Sequence, residues 1–86
     1  MMTFEQLAQS LRGQVDALEQ TGNFQVSLTA ITDDSRAVQA GSLFVAVKGE
    51  QVDGHRYISS ALTSGAAAVV MQETVVGIDR PYLRVA

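Results

Sequence analysis

An α/β domain with a small, mixed and largely parallel sheet flanked by helices is predicted by three observations on this 86-residue chain. Leu43 to Val47 is an unbroken apolar run, which suits a strand covered on both faces. Ala66 to Met71 is a second such run with an amphipathic segment directly before it, so run, helix and run read as a βαβ unit with parallel strands and a right-handed crossover. Phe4, Leu7, Ala8 and Leu11 recur at helical spacing near the start and supply a second helix. A chain of this length makes one small domain with a thin core.

Each element has a local reason. Thr3 caps the first helix and Gln6, three places on, completes a capping box. The apolar stripe extends to Val15 and Leu18, but glycine inside a helix costs about 1 kcal/mol, so a helix over 3–12 ending before Gly13 is preferred to one reaching the Thr21-Gly22-Asn23 turn. Phe24, Val26, Leu28, Ala30 and Thr32 occupy alternate positions, a period of two that predicts a half-buried strand over 26–32, ended by Asp33 and Asp34. The next strand is placed at 43–47. Lys48 to Gly54 carries two glycines among polar residues and reads as a loop, and Asp53 caps a helix over 55–64 that turns Tyr57, Ile58, Ala61 and Leu62 inward and stops at Gly65. A strand over 67–72 follows, then a turn through Arg80-Pro81 into a last strand over 82–85, which the chain end is expected to leave unsupported. The stop inside a strand predicts that the chain is a fragment of a longer polypeptide.

Composition excludes several classes. A net charge of -3 with only six Lys and Arg argues against tracking a nucleic-acid backbone. Without cysteine there is no disulfide and no thiolate metal site, which fits a reducing compartment. No segment approaches the roughly 18 apolar residues of a membrane span and no secretory signal opens the chain, so a cytoplasmic protein without membrane partners is expected.

Two loops carry polar chemistry. Asp34, Ser35 and Arg36 follow a strand directly, so a hydroxyl, a guanidinium and successive N–H groups can face an anion at the sheet edge, although the same residues are also the ordinary vocabulary of an Asx turn. Gly49 to Gly54 can close a pocket from the other side of the buried strand; a uracil edge shows acceptor, donor, acceptor, which backbone groups can match without particular side chains. His55 reads as a surface histidine in the first turn of a helix. No Gly-x-Ser-x-Gly elbow accompanies it, and one histidine with scattered carboxylates falls short of a metal site. Lys48 lies outside any Gly-x-x-x-x-Gly-Lys-Ser/Thr stretch, and no Gly-x-Gly-x-x-Gly follows a strand, so neither a triphosphate cradle nor a dinucleotide fingerprint is present.

Taken together, Thr32-Asp33-Asp34-Ser35-Arg36, Gly41-Ser42-Leu43-Phe44-Val45-Ala46-Val47, Lys48-Gly49, Asp53-Gly54-His55, Tyr57-Ile58 and Gly65-Ala66-Ala67-Ala68-Val69-Val70 closely resemble the N-terminal domain of the Mur ligases. These are cytoplasmic enzymes that extend the peptide of UDP-N-acetylmuramic acid, the peptidoglycan precursor. The resemblance spans roughly residues 24–86. It is greatest for the branch that adds a diamino acid to UDP-N-acetylmuramoyl-L-alanyl-D-glutamate; the branch adding D-alanyl-D-alanine is the alternative, and a free-standing interaction module without nucleotide is the reading of another class.

The resemblance implies that residues 1–86 form one domain holding the UDP moiety of the UDP-N-acetylmuramoyl-peptide substrate, with an ATPase domain and a C-terminal domain of the same polypeptide as partners. By position, Asp33 and Ser35 fall where the family contacts the nucleotide, and Glu50, Gln51 and Val52 fall on its second substrate loop. Arg36 joins them from the reading of the turn. Asp33 stands where some members carry an apolar residue and Glu50 where some carry His, so side-chain contacts there are expected to differ. ATP and magnesium are implied for the full-length enzyme, with no cofactor, metal ligand or catalytic residue expected on this chain.

Overall fold

The computed structural model describes residues 2–11, 16–48, 53–73 and 75–85. Within them β1 (Met2–Thr3) leads into α1 (Phe4–Leu11), followed by β2 (Ala17–Thr21), β3 (Ser27–Leu28), β4 (Ala30–Thr32), β5 (Ser42–Ala46), α2 (Ile58–Thr63), β6 (Ala68–Met71) and β7 (Tyr82–Val85). Short 3-10 turns at Ser35–Ala37 and Gly54–Tyr57 stand before β5 and α2. The main sheet runs β2-β7-β6-β5-β4, parallel from β4 to β7 and antiparallel at β2. β1 and β3 pair in a separate antiparallel ribbon.

The unbroken apolar strands are buried on both faces, as their sequence requires. In β5 and β6, Leu43, Ala68 and Val70 face a cluster with Phe4, Ala8, Phe24 and Leu28 of the N-terminal segments. Phe44, Ala46, Val69 and Met71 face the opposite cluster, with Ile58 and Ala61 of α2. Each Phe, Leu, Ile, Val or Met side chain so removed from water contributes on the order of 1.5–3 kcal/mol, and each alanine less. Phe4 and Phe24 stack with ring centroids 4.1 Å apart, fixing α1 against the turn that leads into β3. The capping box at the start of α1 forms as its spacing implies: the Thr3 amide donates to Gln6 Oε1 at 2.9 Å and the Gln6 amide to Thr3 Oγ1 at 3.2 Å. At its other end α2 stops at Gly65, whose φ of +108° is a conformation glycine adopts without penalty. Arg80 Nη1 donates to the carbonyls of Leu62, in the last turn of α2, and of Ala66, just past it, both at 2.7 Å, and so ties the end of α2 to the approach to β7.

Five expectations need correction. The strand expected over 26–32 is divided: Ser27–Leu28 pairs with β1, whereas Ala30–Thr32 pairs with β5. β2, which the helical stripe through Leu18 did not suggest, is an antiparallel strand against β7. β7 is therefore supported on both sides by β6 and β2. The helix expected over 55–64 begins as the Gly54–Tyr57 3-10 turn, which leaves Tyr57 exposed while Ile58 and Ala61 are buried. Val47 lies beyond the end of β5 and is exposed. The expected helix stop at Gly13 lies outside the described residues.

Candidate functional site

β4 ends at Thr32, whose Oγ1 accepts the Asp34 amide at 3.0 Å and so bends the chain away from the sheet. Asp34 then caps the Ser35–Ala37 turn. Its Oδ1 accepts the Arg36 amide at 2.9 Å, and its two carboxylate oxygens receive Arg36 Nε and Nη2, each at 3.1 Å. Beyond β5, Asp53 caps the Gly54–Tyr57 turn in the same manner, accepting the His55 amide at 3.0 Å and meeting His55 Nδ1 at 2.6 Å. The Arg36 side-chain bond holds the Asp34 carboxyl below the usual aspartate range and raises the guanidinium further. The His55 side-chain bond likewise holds Asp53 low.

Between the two turns, at the C-terminal ends of parallel β4 and β5, lies a polar cavity of about 400 Å³ lined by Asp33, Asp34, Ser35, Arg36, Gly54 and Tyr57. Three residues singled out in the sequence, Asp33, Ser35 and Arg36, are thus brought together. The half-buried Ser35 hydroxyl has no hydrogen-bond partner among the described residues. Arg36 is committed to Asp34 in a bidentate pair and its side chain is exposed, so its charge sits at the rim. Glu50, Gln51 and Val52 lie outside the described residues. Tyr57 was missed as a wall residue because helical spacing turned it inward; the signal available was the Asp-Gly pair ahead of it, which delays the α-helix by one short turn.

His55 is not a surface residue. Its side chain is only 6% exposed, and Nε2 accepts the amides of Gln72 and Glu73, each at 3.0 Å. Asp53, His55 and Glu73 offer donor atoms within 4.8 Å of one another, a grouping that the separation of 18 residues between His55 and Glu73 concealed. Both imidazole nitrogens are already occupied by hydrogen bonds, so the histidine is built as a junction between turn and strand and not as a metal ligand.

A small mixed-sheet α/β domain with a polar cavity at the ends of its parallel strands has the architecture of the open α/β class, in which such strand ends are the usual place for a ligand. The family profile described as "Mur ligase family, catalytic domain" matches residues 27–81, and the chain belongs to the Mur ligase family. It is 51% identical over 67 residues to UDP-N-acetylmuramoyl-L-alanyl-D-glutamate--2,6-diaminopimelate ligase of Parabacteroides distasonis, covering 74% of this chain and 14% of the relative. To the protein of the same name from Chlorobium phaeobacteroides it is 46% identical over 77 residues, covering 84% of this chain and 15% of the relative. The chain therefore spans about one seventh of the length of these relatives. Among solved structures, UDP-N-acetylmuramoylalanyl-D-glutamyl-2,6-diaminopimelate--D-alanyl-D-alanyl ligase from Acinetobacter baumannii matches with a TM-score of 0.73 at 26% identity, covering 98% of this chain and 18% of that one. A Mur ligase from Thermotoga maritima in complex with ADP matches with a TM-score of 0.56 at 38% identity, covering 64% of this chain and 12% of that one. The residues of this chain do not fit a triphosphate: Lys48 follows β5 without a glycine-rich loop before it, and its amide is bound to Gln72 Oε1 at 3.0 Å.

Proposed function

We propose that this chain is the N-terminal substrate-holding domain of a diamino-acid-adding Mur ligase, working in the cytoplasm and gripping the UDP end of UDP-N-acetylmuramoyl-L-alanyl-D-glutamate. The observation that carries the reading is the polar cavity between the Asp34 and Asp53 turns. It offers at Ser35 a hydroxyl without a partner among the described residues, a guanidinium at the rim and Tyr57 in its lining. Ser35 is assigned a hydrogen bond to the nucleotide, Asp33 and the 50–52 segment further contacts, and Arg36 a screening positive charge near the diphosphate. The names of the relatives at 51% and 46% identity favour the diamino-acid branch over the D-alanyl-D-alanine branch. Activation of the substrate carboxylate by ATP with magnesium belongs, in this reading, to other domains of the ligase, and no step of it is carried by these residues.

UDP titrated into the labelled chain should move the amides of 33–36 and of 54 and 57 before others. Ser35→Ala should leave the fold intact and weaken UDP binding about two- to tenfold, the worth of one net hydrogen bond. Amides of 33–36 that stay still in a folded chain at saturating UDP would end the proposal. Incubation with ATP, magnesium, a diamino acid and the muramoyl dipeptide nucleotide should give no product; turnover retained on repurification would show an overlooked active site.

A further inference from the structure

The Asp53 turn is held by a closed ring of hydrogen bonds. The Lys48 amide donates to Gln72 Oε1 at 3.0 Å, and the Gln72 and Glu73 amides donate to His55 Nε2 at 3.0 Å. His55 Nδ1 meets Asp53 Oδ1 at 2.6 Å, and Asp53 returns to Lys48 through an antiparallel bridge. Two N–H donors converging on Nε2 require that nitrogen to be bare, so the network assigns the proton to Nδ1, which donates it to Asp53. The ring joins the ends of β5 and β6 to the turn, and the turn is one wall of the polar cavity. Gly54 shows how closely that wall is set: its amide donates to the Val47 carbonyl at 2.9 Å, and a Cβ there would stand 3.0 Å from Val47 backbone atoms.

We propose that His55 is a positioning residue for this cavity. As the neutral Nδ1–H tautomer it sets the Gly54–Tyr57 wall by tying Asp53 to the end of β6, and protonation of Nε2 undoes the tie, so nucleotide affinity falls when the ring is charged. The proposal rests on the nucleotide reading of the cavity given above. Three charged groups bear on the imidazole. Asp53 belongs to its own turn. Glu73 stands past the end of β6 with Oε2 4.0 Å from Nδ1, and Lys48, past the end of β5, acts on Asp53. The two carboxylates favour the imidazolium. The two amides oppose it, because an Nε2–H pointing at two N–H donors must displace them. Charging the ring therefore keeps the Asp53 bond and breaks the β6 bonds, which separates the turn from the strand.

Two substitutions divide the junction. In His55→Gln the side-chain Oε1 reaches the place of Nε2 and accepts the two amides without a titrating proton, whereas in His55→Asn the Nδ2–H reaches Asp53 and leaves the amides unpaired. UDP affinity is read by amide shifts of the labelled chain near pH 7.5 and near pH 5.5, on either side of ordinary histidine titration. The wild type should lose about threefold or more in acid relative to His55→Gln, which carries the same titration of the ligand's own phosphate. His55→Gln should bind near the wild-type level at the higher pH, and His55→Asn should bind more weakly than His55→Gln at both. Equal acid responses of wild type and His55→Gln, or equal weakness of the two variants, would overturn the proposal. If UDP moves no wild-type amide at either pH, the nucleotide reading fails and the free wild-type chain decides the rest. Amides of Gln72, Glu73 and 54–57 shifting with the imidazole on one midpoint would support the tie, and 54–57 unmoved while the ring titrates would refute it.

Discussion

Asp34-Ser35-Arg36 and Asp53-Gly54-His55 are the same turn built twice. In each, an aspartate in extended backbone caps a 3-10 turn, accepts the amide two residues on and pairs with that residue's side chain. The difference lies in what the third side chain does next. The Arg36 side chain is 89% exposed and its bonds close back on Asp34, whereas His55 is 6% exposed and its second nitrogen reaches β6. One turn is a local ring in water, where an ion pair gains little after screening and side-chain ordering. The other is a junction whose removal empties the nearly enclosed place of the imidazole and unties the turn from the end of β6, and that is the costlier loss. The same three-residue pattern is thus adaptable on one side of the cavity and fixed on the other.

The largest expected effect breaks the fixed side. His55→Ala releases the Gln72 and Glu73 amides to solvent and removes the packing of an imidazole that is only 6% exposed, and should lower stability by about 1–3 kcal/mol in chemical denaturation. Arg36→Ala should change the midpoint by no measurable amount. Equal losses from the two would show that the exposed ring carries as much of the fold as the buried junction. The next effect is expected at Gly54, where a methyl group at 3.0 Å from the Val47 backbone must push the turn away from β5. Gly54→Ala should cost about 1–3 kcal/mol through overpacking, while Ser35→Ala, at the corresponding place in the other turn, should leave stability within about 0.5 kcal/mol. A Gly54→Ala chain as stable as the wild type would mean that the turn has room to shift.

How much of this was legible follows from the range over which each feature is determined. The capping box of Thr3 and Gln6, the two unbroken strands and the glycine stop at Gly65 depend on neighbours within a few residues, and the sequence shows them. The Asp34 turn was legible for the same reason. β2 was not: Ala17–Thr21 has no strand pattern of its own, and pairing with β7 more than 60 residues away overrides its propensity. The alternation from Phe24 to Thr32 is continuous in sequence, yet β3 and β4 join different partners, and no local signal marks the break. The burial of His55 depends on two backbone amides 17 and 18 residues later, beyond any spacing rule for side chains.

The smallest and most discriminating effect is in the acid limb of stability. Both aspartates are held below their ordinary range, Asp34 chiefly by the Arg36 side chain and Asp53 chiefly by the His55 side chain. A carboxyl whose folded pKa is depressed contributes stability that is fully present above its unfolded value, about 3.9 for aspartate, and that is lost as pH falls through the folded value. The window is therefore below about pH 4, and the Nδ1 bond to Asp53 is one that either protonation state of the ring can make. The Asp34 pair is in water and its contribution is screened, so most of the acid sensitivity assigned to the two turns should come from Asp53. Melting temperatures measured from about pH 5 to about pH 2 should fall in the wild type, fall less steeply in Asp53→Asn, and follow the wild-type slope in Asp34→Asn. If Asp34→Asn flattened the slope as much as Asp53→Asn, the two turns would be energetically alike, and burial of the third side chain would not be what separates them.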